Sequence, residues 1–214
     1  MSAAGEQHAQ GGPRELFLAG AGSFALEVAD WAAAAGMRVA GLIDLHDGDL
    51  VGSEIAGMPV ISPDSPGEGR GVAIAAGGDR GAHWELIGSR GWRPCSIVHP
   101  RASIAASAEL SGGVVAGPGA IVGAQSRIGA HALLSRGVLV GHHVNVERFV
   151  SLLPGANVAS HTRIGLAATL GMGAIVIDHT LVGAAAVVAA GAVVVAAVES
   201  GTRVQGVPAR VFTR

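Results

Sequence analysis

Aliphatic residues recur at every sixth position over more than ninety residues. Stepping by six from Val98 through Ile104, Leu110, Ala116 and Val122 to Val194 meets Val, Ile or Leu at sixteen of seventeen places, with Ala116 the exception. Four positions further on the residue is small or branched, as at Ala108, Ala120, Ser126, Ala132, Val144, Thr162 and Thr180. A period of six fits neither an α-helix nor a simple alternating strand. It predicts a parallel β-helix in which three hexads make one triangular coil. The first aliphatic of each hexad faces inward and the small residue four later sits near a corner. Successive coils stack at about the strand spacing, ~4.8 Å. Gly often follows the aliphatic, at Gly129, Gly141, Gly165, Gly171 and Gly183; tight turning is expected to favour a residue without Cβ there.

The first ninety residues follow another pattern. Residues 15–19 (ELFLA) read as a strand that runs into a glycine turn, and 27–36 as a helix ended by Gly36. A second strand covers 38–44, a third 71–76, and a second helix 79–90. Strands alternating with helices predict a doubly wound parallel sheet, with ligands beyond the carboxyl ends of its strands. The expected organisation is a disordered N-terminus at 1–13, an α/β lobe at 14–93, the β-helix at 94–199 and a tail at 200–214. Residues 91–96 read as the connection between the two domains.

Residues 181–198 (LVGAAAVVAAGAVVVAAV) form an 18-residue run without a charge, long enough for a membrane helix on length alone. The run is rich in Val and Ala and continues the six-residue period, so it reads as strand rungs and no membrane span is expected. Composition sharpens this picture. Half the chain is apolar, yet aromatics make up 3%, and only Phe149 and Phe212 lie beyond residue 93. A narrow, regular interior accounts for that scarcity. All 14 basic residues are Arg, against 16 acids and a net charge of -2, which argues against a nucleic-acid binder. The single Cys, Cys95, excludes a disulfide framework and a Cys-rich zinc site. The N-terminal residues lack a signal-peptide pattern, so a cytoplasmic protein is expected.

Seven segments then occur in a telling order: LFLAGAGSFALEVADWA, GLIDLHDG, IAGMPVI, VAIAAGGDRG, SIVHPRASIA, VLVGHHV and VQGVPARVF. Together they resemble the nucleotide-sugar acetyltransferases of bacterial glycan synthesis, the subfamily of sialic acid O-acetyltransferases and UDP-4-amino-sugar N-acetyltransferases. The resemblance covers residues 15 to 213. It implies a Rossmann-like nucleotide-sugar-binding lobe followed by a left-handed parallel β-helix. It also implies a homotrimer with active sites between neighbouring prisms, and acetyl-CoA as co-substrate.

By that resemblance His142, at an outward turn position of its hexad, matches the catalytic base. A neutral imidazole suits the removal of a proton from an attacking amine. The residue after it, usually an acid in the family, is His143 here. A second family histidine falls on Ser151. Asp178 shares the column of His142 but stands two coils away, roughly 10 Å by strand spacing; Glu147 is nearer in sequence. His143, His161 and His179 are each 18 apart and should stack in one column. Rings stacked in that way run parallel without converging, so no metal is expected. Acetyl-CoA contacts map to Ser151, Met172 and Ala190, with Val207 and Pro208 near the adenine end. Nucleotide-sugar contacts map to Gly22, Ser23 and Phe24 at a helix start, with Asp44 ending the next strand. Where relatives show Gly followed by Asp or Asn and then Asn, this chain has Ala75, Ala76 and Gly77. The expected reaction is acetylation of a nucleotide-linked amino sugar. The alternatives are acetylation of a sugar hydroxyl, or a non-catalytic trimeric scaffold.

Overall fold

The computed structural model describes residues 15–46 and 48–212. The expected N-terminal disorder at 1–13 lies outside them. The chain divides into two compact units between His99 and Pro100.

In the first unit, β1 (Glu15–Ala19) has Leu16, Leu18 and Ala19 fully buried, as a central strand requires. It pairs in parallel with β2 (Arg38–Ile43) and with β5 (Gly71–Ile74). Between them, α1 (Ser23–Ala34) buries Ala25, Val28, Trp31 and Ala32, residues that share one face at helical spacing. It begins four residues ahead of Glu27, with Gly22 as its N-cap. The second helix, α2 (Arg80–Gly88), is capped by Asp79, whose carboxylate accepts the N–H groups of Gly81 and Ala82 at 2.9 and 3.1 Å. Two features were not legible in the pattern. A hairpin of β3 (Glu54–Ile55) and β4 (Met58–Ile61) adds an antiparallel edge, with strands too short to show alternation. Residues 91–96, read as a connection, instead supply the edge strand β6 (Arg93–Pro94). The sheet order is β3-β4-β2-β1-β5-β6.

From Ser103 to Val194 the second unit is a three-faced prism of two-residue strands, each paired in parallel with the strand 18 residues away. One face runs through Val115–Ala116, Leu133–Leu134, Ser151–Leu152, Thr169–Leu170 and Val187–Val188. A second carries Ile121–Val122, Leu139–Val140, Asn157–Val158, Ile175–Val176 and Val193–Val194. The third carries Glu109–Leu110, Arg127–Ile128, Asn145–Val146, Arg163–Ile164 and Leu181–Val182. The second residue of each strand is the hexad aliphatic, and from Ala116 to Val194 all are at most 2% exposed. Residues 181–198 form rungs of the prism, and among the described residues no helix is long and apolar enough to cross a membrane. Beyond the prism, strands Arg203–Gln205 and Arg210–Val211 pair with each other and continue the first face.

The glycines that follow the aliphatics serve a different purpose from the turning expected of them. Their backbone is not left-handed. A Cβ on Gly171 would lie 2.5 Å from the Ala190 nitrogen, and one on Gly129 2.6 Å from the Arg148 nitrogen. They let adjacent coils approach. The turning falls to a different set of residues, one per corner. One corner has left-handed Gly119, Gly137, Gly155, Gly173 and Gly191 at successive levels, and another has Gln125, His143, His161 and His179.

Candidate active site at the histidine corner of the prism

The corner between the second and third faces carries the histidines. Three of its inner positions, Ser126, Thr162 and Thr180, are hydroxyls, and the one at the level of His142 is Val144. Ser126 donates to the Gly141 carbonyl at 2.8 Å and accepts the Val144 N–H at 3.0 Å. Thr162 donates to the Ile177 carbonyl at 3.1 Å, and Thr180 to that of Asp178 at 3.1 Å. These bonds hold the corner backbone level by level. His142 is then tied twice to the next coil: its N–H donates to Ser160 Oγ at 3.2 Å and its carbonyl accepts the His161 N–H at 3.1 Å.

His143, His161 and His179 form the expected ladder. The rings of His161 and His179 stand 4.8 Å apart and 8° from parallel; those of His143 and His161 stand 5.0 Å and 22° apart. The expectation that these rings do not converge changes with His142. Its ring lies at 88° to both His143 and His161, with centroids at 5.2 and 5.1 Å, and its Nδ1 is 3.0 Å from His143 Nδ1. Column spacing cannot show this, because His142 belongs to the neighbouring column. Its side-chain rotation closes the cluster. Desolvation within the stack, then the neighbouring His179, His143 and His142, pull the His161 pKa below its ordinary value, with Asp178 opposing.

Neither nearby acid orients His142. Glu147 binds Arg163 through Oε1 and accepts the Leu166 N–H through Oε2 at 3.0 Å. It lines a depression of about 360 Å³ on the third face with Arg127, Asn145 and Arg148, away from the histidines. Asp178 stands 3.9 Å from His179. The group that orients His142 among the described residues is His143. Sequence reasoning missed the parts of His161 and Ser160, although the 18-residue step pointed to both.

The residues mapped to acetyl-CoA lie elsewhere on the prism. Met172 and Ala190 occupy successive levels of the glycine corner, where the Gly191 N–H donates to the Met172 carbonyl at 2.8 Å. Met172 is 57% exposed, whereas Ser151 on the first face is nearly buried. Val207 and Pro208 are exposed in a loop whose ends bond to Val193 on the second face. Within one chain, His142 and Met172 thus sit at different corners.

In the lobe, Gly22, Ser23 and Phe24 start α1, and Gly22 supplies no side-chain cap. Gly20 permits the turn to press on the neighbouring loop: with φ +132°, its Cβ would lie 2.6 Å from the Ala75 carbonyl oxygen. Arg80 underpins that loop. It is 1% exposed and donates to the carbonyls of Ile74 and Ala76, and burial lowers its pKa to about 9. Asp44 is also buried, and its carboxylate accepts the N–H groups of His46 at 3.0 Å and Leu50 at 3.2 Å. Its oxygens shape the loop after β2.

The sequence matches no protein-family model and no curated protein. Solved structures do match over nearly the whole chain. The acetyltransferase domain of PglB from Neisseria gonorrhoeae, in complex with acetyl coenzyme A, is 30% identical with a TM-score of 0.83, covering 94% of this chain and 100% of that one. A histidine-to-asparagine mutant of perosamine N-acetyltransferase from Caulobacter crescentus, in complex with CoA and GDP-perosamine, is 27% identical with a TM-score of 0.83. That match covers 96% of this chain and 98% of the other. WeeI from Acinetobacter baumannii, 23% identical with a TM-score of 0.81 and covering 92% of this chain and 100% of its own, adds support for the fold alone. This chain folds as a Rossmann-like lobe followed by a left-handed parallel β-helix. The chain belongs to the hexapeptide-repeat sugar acetyltransferases.

Proposed function

We propose that this enzyme transfers the acetyl group of acetyl-CoA to the amine of a nucleotide-linked amino sugar, with His142 as general base. The observation that carries the reading is an exposed imidazole on a rigid corner, with one ring nitrogen held by a neighbour and the other unengaged by that bond. The amine attacks the thioester carbonyl, and the bond to the CoA sulfur breaks. The amine proton passes to His142 Nε2 and from there to the departing thiolate. For this, His142 must carry its other proton on Nδ1 and donate it to His143 Nδ1, whose own proton is then on Nε2.

The neighbours crystallised with CoA, acetyl-CoA or GDP-perosamine support acetyl-CoA and a nucleotide sugar as co-substrates. One histidine of the Caulobacter enzyme is mutated in two of these structures, which supports a histidine as the base. Ser151, Met172, Ala190, Val207 and Pro208 would contact acetyl-CoA. The first-turn N–H groups of α1 at Gly22, Ser23 and Phe24 would face phosphate, with Asp44 holding the adjoining loop. Because His142 and Met172 occupy different corners, a homotrimer that sets the histidine corner of one prism against the glycine corner of the next would complete the site. The exposed aliphatics Ile121, Leu139 and Ile175 on the face between those corners suit such an interface. Both co-substrates are cytoplasmic metabolites, which supports a cytoplasmic enzyme.

The test is CoA thiol release from acetyl-CoA against a panel of nucleotide-linked amino sugars. At least one acceptor should turn over, and His142→Ala should lower kcat by about 10²–10⁴, the contribution of a general base. If no acceptor turns over above His142→Ala, the reading fails. A product that survives hydroxylamine is an amide; a labile one is an ester and moves the acceptor to a hydroxyl.

A further inference from the structure

The histidine corner offers more than a base. One ring nitrogen from each of His142, His143 and His161 lies within 4.8 Å of the others, and two of these rings approach to 3.0 Å between Nδ1 atoms. Two nitrogens on one tetrahedral zinc stand about 3.3 Å apart, given Zn–N bonds of roughly 2.05 Å. The pair is therefore already near that spacing, and the third ring closes by rotation about its own side-chain bonds. All three residues are exposed, so an ion and its waters can reach them.

The backbone shows which substitution the corner tolerates. His143 and His161 both take left-handed φ values, +56° and +57°, where the adjacent corner uses Gly at each level. Holding a side chain in that conformation costs about 1 kcal/mol per residue relative to Gly. Gln125 at +60° and His179 at +54° share it, so the conformation belongs to the corner and not to the ion site. Stacking alone accounts for His179 as well as for His143 and His161, but it does not account for the crossing ring of His142.

We propose that His142, His143 and His161 form a binding site for a divalent transition ion of the zinc class, and that its occupation blocks acetyl transfer. Three imidazoles select zinc, cobalt, nickel or copper over magnesium and calcium, and leave a fourth position for water. An ion on His142 Nδ1 leaves that ring's proton on Nε2, the nitrogen that would otherwise accept the amine proton. The blockade rests on the reading of His142 as base; the ion site does not.

The full-length chain, stripped with EDTA, is titrated with Co²⁺ while the visible bands of tetrahedral cobalt are followed, and zinc is then added to displace it. One ion per chain is expected. His161→Gly, which places the default residue at a left-handed position and so keeps the fold, should weaken binding by at least the ~10–100-fold that even outer-shell changes cost. His179→Gly should leave affinity unchanged. Absence of the cobalt bands, equal affinity in wild type and His161→Gly, or a matching loss in His179→Gly each overturns the site. In the acetyl transfer assay, the ratio of turnover with EDTA to turnover with zinc should be large for wild type and fall towards one for His161→Gly. Binding without inhibition overturns the blockade and leaves the site. Binding with no turnover under any condition overturns the acetyltransferase reading alone.

Discussion

His142 Nδ1 lies 3.0 Å from His143 Nδ1, so the proposed base is oriented by a second imidazole and not by a carboxylate. A carboxylate can only accept, and so fixes the tautomer of its partner. An imidazole can donate or accept, so the pair exists in two forms, and only one leaves His142 Nε2 free to take a proton. Removing the partner in His143→Gly, which suits the left-handed backbone, should lower kcat by about tenfold to a hundredfold, a part of what a general base supplies. The KM for acetyl-CoA should hardly move. His143→Glu should raise kcat above wild type by enforcing the productive tautomer. Steady-state kinetics of the two variants check this, and a His143→Gly enzyme with wild-type kcat would contradict it.

Much of the fold was legible because its chemistry repeats. The inward rows from Ala116 to Val194 are set by the exclusion of water from a narrow core, which a six-residue period records directly. The histidine ladder was legible for the same reason, since 18 residues make one coil. What lay beyond reach depends on side-chain rotation and local competition. The ring of His142 crosses into the next column, and Glu147 is claimed by Arg163 and the Leu166 N–H. The hairpin at Glu54–Ile55 and Met58–Ile61 was hidden by its brevity. The resemblance named His142 but could not say what replaces the missing acid.

Two glycines separate the two uses of that residue in the prism. Gly171 has no room for a Cβ, which would meet backbone at 2.5 Å, whereas Gly137 has open space but φ +68°. Ala at Gly171 should destabilise by about 1–3 kcal/mol as overpacking against an unyielding neighbour, and Asn there should be worse. At Gly137 the order reverses, because Asn populates the left-handed region more readily than Ala. Urea midpoints of the four variants test the ranking. Equal loss for Asn and Ala at Gly137 would show that space and not conformation governs that corner.

Cys95 bears on every assay that counts released thiol. It is the only Cys, it is 4% exposed, and burial raises its pKa. Since the thiolate is the reacting form, a raised pKa lowers the reactive fraction at any pH below it, and burial denies access as well. A disulfide reagent at neutral pH should find no thiol in the folded chain and one per chain in concentrated urea. Rapid labelling of the native protein would contradict the buried site and require Cys95→Ala for the CoA assay.

Arg80 links the stability of the lobe to its proposed ligand. Its guanidinium donates to the carbonyls of Ile74 and Ala76, on either side of Ala75, whose own carbonyl presses on Gly20 at the turn before α1. Burial lowers its pKa to about 9, well below that of a free guanidinium. A basic group whose folded pKa is depressed opposes folding while charged, so this penalty is full at neutral pH and fades as pH rises above about 9. The charge is therefore retained for what it holds. Arg80→Met keeps much of the volume but leaves two carbonyls without their donor, a loss of roughly 1–3 kcal/mol each if they stay unsatisfied. Relief of the buried charge offsets part of that, so the change in Tm should be modest. The KM for the nucleotide sugar should rise several-fold, while the KM for acetyl-CoA, whose proposed contacts lie on the prism, stays put. A variant with lowered Tm and unchanged KM for both co-substrates would make Arg80 a purely structural residue and remove the loop at Ala75 and Ala76 from the account of sugar binding.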